Sequence, residues 1–226
     1  MNKIVLYHGS SKIVEHPKYG EGKTYNDYGQ GFYCTREIEL AKEWACSDNT
    51  QGYANQYSID LDGLKILDLS NEKYTILNWI AILLENRIVN FTTPLQNQAR
   101  EYLIENFLPD YKDSDVIIGY RADDAYFSFA RAFVSNEISL SQLGLAMQLG
   151  RLGLQYCIKS KNAFDKLEFV GFIAVDNSIY YEKKRSRDSK ARNEYLKQLE
   201  NSDLNGVFIR DILIEGMKND DKRLRV

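Results

Sequence analysis

Cysteine and histidine are scarce in this chain of 226 residues, and their scarcity removes several kinds of protein from consideration. The three cysteines, Cys34, Cys46 and Cys157, are odd in number and far apart, which argues against a disulfide framework and against the spacing of a zinc site. The two histidines are His8 and His16, and neither His-Glu-x-x-His nor Cys-x-x-Cys occurs. No metal centre built on imidazole or thiolate is expected, while a carboxylate site for magnesium stays open. Long apolar runs are also lacking, since none reaches the ~18 residues that spanning a bilayer requires. No basic leader with an apolar core and small-residue cleavage site opens the chain, so cytoplasmic residence without membrane attachment is the expectation. Charge of one sign is not in excess either. The net charge of -3 offers no global attraction to nucleic acid or an acidic membrane. Internal repeats and low-complexity segments are missing as well. Gly22-Lys23-Thr24 imitates the end of a phosphate-binding loop, but Pro17 stands where that motif needs its first glycine. No Gly-x-Gly-x-x-Gly follows a strand and opens a helix, which removes a dinucleotide-binding dehydrogenase.

What the chain does have is 44% hydrophobic residues and 12% aromatics, ample for the core of one fairly large domain, with or without appendages. Residues 4–7 form a short apolar run ending at Gly9 and read as a buried strand. A polar, glycine-bearing connection over 10–28 is long enough to suggest a flap beside a pocket. Residues 31–35 read as a second strand and 36–46 as a helix with Ile38, Ala41, Trp44 and Ala45 toward the core. Asp62-Gly63 between alternating runs predicts an antiparallel hairpin over 57–69. Helices are expected over 74–87, 94–107, 123–133 and around Leu140, Leu143 and Met147, and strands over 116–119, 154–159 and 167–175. At Glu182 the composition turns charged, predicting a division into a domain at 1–181 and a charged helical appendage at 182–226. The apolar segment 207–214 implies that this tail docks on the domain. Strands before and after a helical middle favour α+β over a doubly wound sheet.

Chemistry-bearing residues concentrate in two places, Leu6-Tyr7-His8-Gly9-Ser10 and Tyr28-Gly29-Gln30-Gly31-Phe32-Tyr33-Cys34-Thr35. An aromatic face can stack a nicotinamide ring, a backbone group beside a glycine can read its carboxamide, and a neutral histidine can bond a ribose hydroxyl. A lone histidine at a strand end is commonly just a packed residue, and any one of sixteen tyrosines is commonly core. The order and spacing of the two segments make His8 and Tyr33 pocket residues together. A third segment, Gln155-Tyr156-Cys157-Ile158-Lys159, supplies an amide on a late strand.

This combination resembles the ADP-ribosyltransferase superfamily, in the branch shared by poly(ADP-ribose) polymerases and diphtheria-type toxins. It is similar in particular to a bacterial His-Tyr-Gln group that also carries Asp27-Tyr28-Gly29 and Ala122-Asp123-Asp124. The resemblance is strongest over 4–46, covers 118–173 more loosely, and does not extend to the middle helices or the tail. It implies split antiparallel β-sheets around an NAD cleft, with helical insertions. NAD would be the co-substrate and no metal would be needed. His8 would orient the adenosine-side ribose, Gly9 would hold the nicotinamide amide, Tyr33 would stack on the ring, and Ser10 is a further contact. Gln155 stands where the family has a glutamate that steadies the oxocarbenium-like ribose. An amide carries no such charge, so single-unit transfer replaces chain elongation, and Asp123 or Asp124 is a candidate auxiliary acid. As helix-start residues both also suit the helix dipole without any catalytic role. The implied function is mono-ADP-ribosylation of a protein or nucleic-acid acceptor by a bacterial toxin, with a cognate antitoxin as a further partner and residues 134–153 helping to recognise the acceptor. An NAD glycohydrolase and an inactive NAD- or ADP-ribose-binding module are the alternatives.

Overall fold

The computed structural model describes residues 3–47, 50–122, 124–149, 152–200 and 203–226. Its strands are β1 (Lys3–Ser10), β2 (Phe32–Thr35), β3 (Gly52–Asp60), β4 (Ile66–Asp68), β5 (Val116–Tyr120), β6 (Leu154–Ile158) and β7 (Leu167–Val175). Its helices are α1 (Ile38–Ala45), α2 (Ile76–Asn86), α3 (Pro94–Phe107), α4 (Asp124–Val134), α5 (Leu140–Gln148), α6 (Lys161–Asp165), α7 (Asn177–Leu199) and α8 (Ile209–Glu215). The fold is α+β, with one mixed seven-stranded sheet in the order β4-β5-β6-β2-β1-β3-β7.

Two separate antiparallel sheets were the expectation, and the strands instead join into one, with β4 and β5 parallel. The joint is thin. Strand β1 runs alongside β3 from Lys3↔Asp60 to Ser10↔Tyr53, yet meets β2 at the single pair Tyr7↔Thr35. Residues His8 to Ser10 therefore continue past the point where β1 and β2 part, and this seam positions the candidate site.

The two faces of the sheet are buttressed differently. Trp79, Ile80, Phe129, Phe133, Tyr28 and Cys157 belong to the large core that α2, α4 and their neighbours build on one face of the β5-β6-β2 half. Leu6, Cys34, Ile59, Ile118 and Ile158 form a second core on the opposite face. Helix α2 is apolar nearly all round because it is buried all round, from Ile76 to Leu84. Thr75 N donates to Asn78 Oδ1 at 2.6 Å and Asn78 Nδ2 donates to Phe107 O at 2.7 Å, which satisfies the buried start of α2 against the end of α3.

The expected hairpin at Asp62-Gly63 does not form. The turn itself is present, with Gly63 at φ 76° and Leu64 N donating to Leu61 O at 3.2 Å. Beyond it, however, Lys65 N donates to Asp115 Oδ2 at 2.6 Å and Asp115 N donates to Lys65 O at 2.8 Å. That anchorage carries β4 to β5 at the far edge of the sheet, so a local turn signal is overridden by a long-range parallel pairing. The composition change at Glu182 falls inside α7, which starts at Asn177. Ile209, Ile212, Met217 and Leu224 join the largest core, so the tail is built into the fold as well as docked on it.

Candidate active site

At the seam, His8 Nδ1 lies 2.7 Å from Tyr33 O. A carbonyl oxygen only accepts, so Nδ1 carries the hydrogen and Nε2 is left as an acceptor. Burial pushes the imidazole below its ordinary value of 6.5 against the opposing effect of that hydrogen bond, so His8 stays neutral. Its ring packs on Phe32, with centroids 4.3 Å apart. Gly9 backs directly onto α1, where a Cβ would meet Ala41 O and come within 2.8 Å of Trp44 Cβ. Ser10 Oγ accepts from Lys12 N at 3.2 Å.

Tyr33 uses its hydroxyl to hold the long connection between β1 and β2. It donates to Gly29 O at 2.6 Å and accepts from Tyr28 N at 3.1 Å, and its ring stacks on Tyr28 with centroids 6.5 Å apart. Burial raises its pKa far beyond the ordinary phenol range, so it anchors and packs rather than exchanging protons. The β2–β6 register pairs Tyr33 with Cys157 and Thr35 with Gln155, placing Tyr33 and Gln155 on one face.

Gln155 is 4% exposed and is held by a buried charge. Its Nε2 donates to Asp27 Oδ2 at 2.9 Å and to Tyr120 O at 3.3 Å. The Asp27 carboxylate also accepts from Arg87 Nε at 2.7 Å and from Ala122 N at 2.9 Å, with Arg87 Nη2 in ion-pair contact at 2.5 Å while it donates to Ala122 O. Arg87 sits 4.8 Å over the Phe127 ring, and Arg121 sits 3.8 Å over Trp44. A cavity of about 390 Å³ opens here, lined by Asn26, Asp27, Tyr33, Arg87, Arg121, Ala122 and Gln155, with Lys184 and Asp188 of α7 on its wall. Two larger hollows, about 980 Å³ along α7 and about 570 Å³ near the C-terminus, contain none of the motif residues, and another of about 450 Å³ is lined by Gly29, Gln30, Gly31 and Lys159 but by neither Tyr33 nor Gln155. The smaller cavity is the one with buried charge and polar groups converging on it, which marks a site.

The structure thus brings Tyr33 and Gln155 to one cavity and ties His8 to Tyr33 through the backbone, while His8, Gly9 and Ser10 lie outside the cavity's lining. Asp123 lies outside the described residues, and Asp124 opens α4. The carboxylate beside Gln155 is Asp27. The sequence signal for it was its place before Tyr28-Gly29, whereas nothing local marks Arg87 or Arg121, which come from the ends of α2 and β5. All three cysteines are free and buried, with the Cys157 thiol pushed up to about 12 by burial. Among the described residues no group of three or more His, Cys, Asp or Glu is placed to hold a metal ion, and no helix is long and apolar enough to cross a membrane.

An α+β protein with a polar cavity beside strands β2 and β6 of a single mixed sheet is the class these observations define. Residues 4–169 match the family described as Protein of unknown function (DUF3990), and the chain belongs to that family. The match ends within β7, so α7 and α8 lie beyond it. No curated protein and no solved structure matches the chain.

Proposed function

We propose that this protein is a mono-ADP-ribosyltransferase that cleaves NAD and transfers ADP-ribose to a macromolecular acceptor. The observation carrying this reading is that Tyr33 of β2 and Gln155 of β6 line one cavity beside the β1–β2 seam, with neutral His8 bonded to Tyr33. The parted sheet supports an ADP-ribosyltransferase-like arrangement of two half-sheets about an NAD cleft. In the reaction the bond between nicotinamide and ribose breaks with its electron pair leaving on nicotinamide. The ribose carbon becomes oxocarbenium-like, and an acceptor lone pair closes on it as the acceptor releases its proton to solvent. Within the cavity the Tyr33 ring suits the nicotinamide and Gln155 suits a ribose, while His8 Nε2, on a residue outside the lining, would reach a ribose hydroxyl only where NAD extends past Tyr33 toward β1. Arg121 and Lys184 on the cavity wall suit the diphosphate.

A cytoplasmic bacterial toxin held in check by an antitoxin protein is the setting this reading favours, with residues 134–153 near the acceptor. The test is incubation of the protein with adenine-labelled NAD and cell extract, following nicotinamide release and label bound to protein or nucleic acid. Release with bound label is the expected result. Release without it would assign a glycohydrolase, and stabilisation by NAD without release would assign a binding module.

A further inference from the structure

A side-chain amide has two ends of opposite character, one that donates and one that accepts. The two groups to which the Gln155 nitrogen donates, Asp27 Oδ2 at 2.9 Å and Tyr120 O at 3.3 Å, are pure acceptors, and the Tyr28 hydroxyl beside the amide already spends its hydrogen on Tyr120 O. The NH2 end must face them, which turns Oε1 away from them. Asp27 is itself fixed, because Arg87 donates to Oδ1 through Nε at 2.7 Å and Ala122 N donates to Oδ2 at 2.9 Å. Its side chain is 7% exposed, so the arrangement sits in a low-dielectric surrounding where charge and dipole act strongly.

We propose that Asp27 and Arg87 are positioning residues that lock the Gln155 amide in one orientation, with Oε1 presented to a ligand hydroxyl in the cavity and a buried carboxylate directly behind the amide. The inference rests on the NAD-cleaving reading above. It also answers the chemical weakness of a glutamine at this position. The Asp27 charge, acting through the donated N–H bond, makes Oε1 a stronger acceptor and adds negative potential near a developing ribose cation. Arg87 holds Asp27 in place through its Nε bond to Oδ1.

Gln155→Glu tests this. When ionised, the introduced carboxylate faces Asp27 with Arg87 already engaged; when protonated, its O–H replaces the N–H donor and its carbonyl replaces Oε1. Its pKa is therefore raised, and the variant works like the parent only while protonated. Nicotinamide release by Q155E should fall about tenfold per pH unit above that pKa, whereas the parent has no such alkaline loss between pH 5 and 8. Tyr33, Arg121, Lys184 and Asp188 also face the cavity and are common to both proteins, so the difference isolates the new group. In the double variant D27N/Q155E the facing carboxylate is gone, and the alkaline loss should disappear. A flat profile for Q155E, or a loss that persists in the double variant, overturns the inference.

If the parent releases no nicotinamide, the NAD-cleaving reading fails, and the same coupling is read from thermal unfolding. A carboxyl whose folded pKa is raised contributes stability below its unfolded value that is lost as pH rises. Q155E should then lose melting temperature from pH 5 to 8 relative to the parent, and D27N/Q155E should not. Parallel curves for Q155E and the parent would overturn the positioning pair independently of the function.

Discussion

At the scale of single residues, His8 shows how one hydrogen bond sets a chemical role. The Tyr33 carbonyl fixes the hydrogen on Nδ1 at 2.7 Å, and burial holds the ring below its ordinary 6.5, so a neutral imidazole with a bare Nε2 is available as acceptor. Two consequences follow from the same downward shift. Because the unfolded chain takes up the proton first as pH falls, the contribution of His8 to stability is complete above 6.5 and declines below it toward the lowered folded value. Melting curves from pH 7.5 to 5 should therefore fall more steeply for the parent than for His8→Gln. On the proposed NAD-cleaving reading, nicotinamide release should persist through pH 6.5 and fail only at lower pH, since Nε2 is lost as an acceptor on protonation. An acid limb at or above 6.5 would show that His8 is not held neutral.

At the scale of elements, α1 lies so close to β1 and β3 that both strands carry glycine beneath it. A Cβ on Gly9 would meet Ala41 O and stand 2.7 Å from Ala45 N, and one on Gly52 would stand 2.6 Å from Ala45 Cβ. These contacts are with helix backbone and short side chains, which cannot swing aside. Gly9→Ala should thus destabilise the protein by about 1–3 kcal/mol, the range for overpacking a tight interface, seen as a lower urea midpoint with unchanged slope. A midpoint equal to the parent's would mean that α1 is not seated on Gly9. The same element explains what was legible in the chain. The spacing of Ala41 and Ala45 in α1 and the apolar run of α2 are local signals, and they matched because burial follows local periodicity; the Thr93-Pro94 start of α3, on which the expected helix over 94–107 did not rest, is a local signal of the same kind. Asp62-Gly63 misled because Asp115, fifty residues on, decides where Lys65 goes. Tyr33 and Gln155 were readable by type and strand position. Arg87 was not, because its bond to Asp27 spans sixty residues and only the folded chain brings α2 against the β1–β2 connection.

For the whole molecule, α7 is the element whose presence the core does least to explain. It runs from Asn177 to Leu199, yet Ala191 is its one buried residue among those described, so no apolar stripe seats it. Its exposed pairs, such as Lys183 with Glu39 at 3.4 Å, contribute little. Two contacts differ in kind. Tyr195 packs on Phe129 of α4 with ring centroids 4.2 Å apart, and Arg187 Nε bonds Glu43 of α1 at 2.8 Å with the two side chains 13% and 11% exposed. The helix thereby bridges α1 and α4 and carries Lys184 and Asp188 to the cavity wall. Removing one partner of a buried ion pair costs ~3–5 kcal/mol, which is large against the docking of a polar helix. Glu43→Ala should accordingly free α7 before the rest unfolds. Brief trypsin treatment followed by mass spectrometry should show first cuts at Lys183, Lys184, Arg185, Arg187 and Lys190 in the variant, in a protein whose far-UV circular dichroism is otherwise close to the parent's. First cuts elsewhere, or equal rates in both proteins, would mean that the Glu43–Arg187 pair is not what holds the helix, leaving that to Tyr195 on Phe129 and to Tyr180 and Tyr181 beside α1. Because the loosened segment forms part of the cavity wall, the proposed NAD-cleaving function implies that the same variant should bind NAD more weakly in parallel with its gain in cleavage.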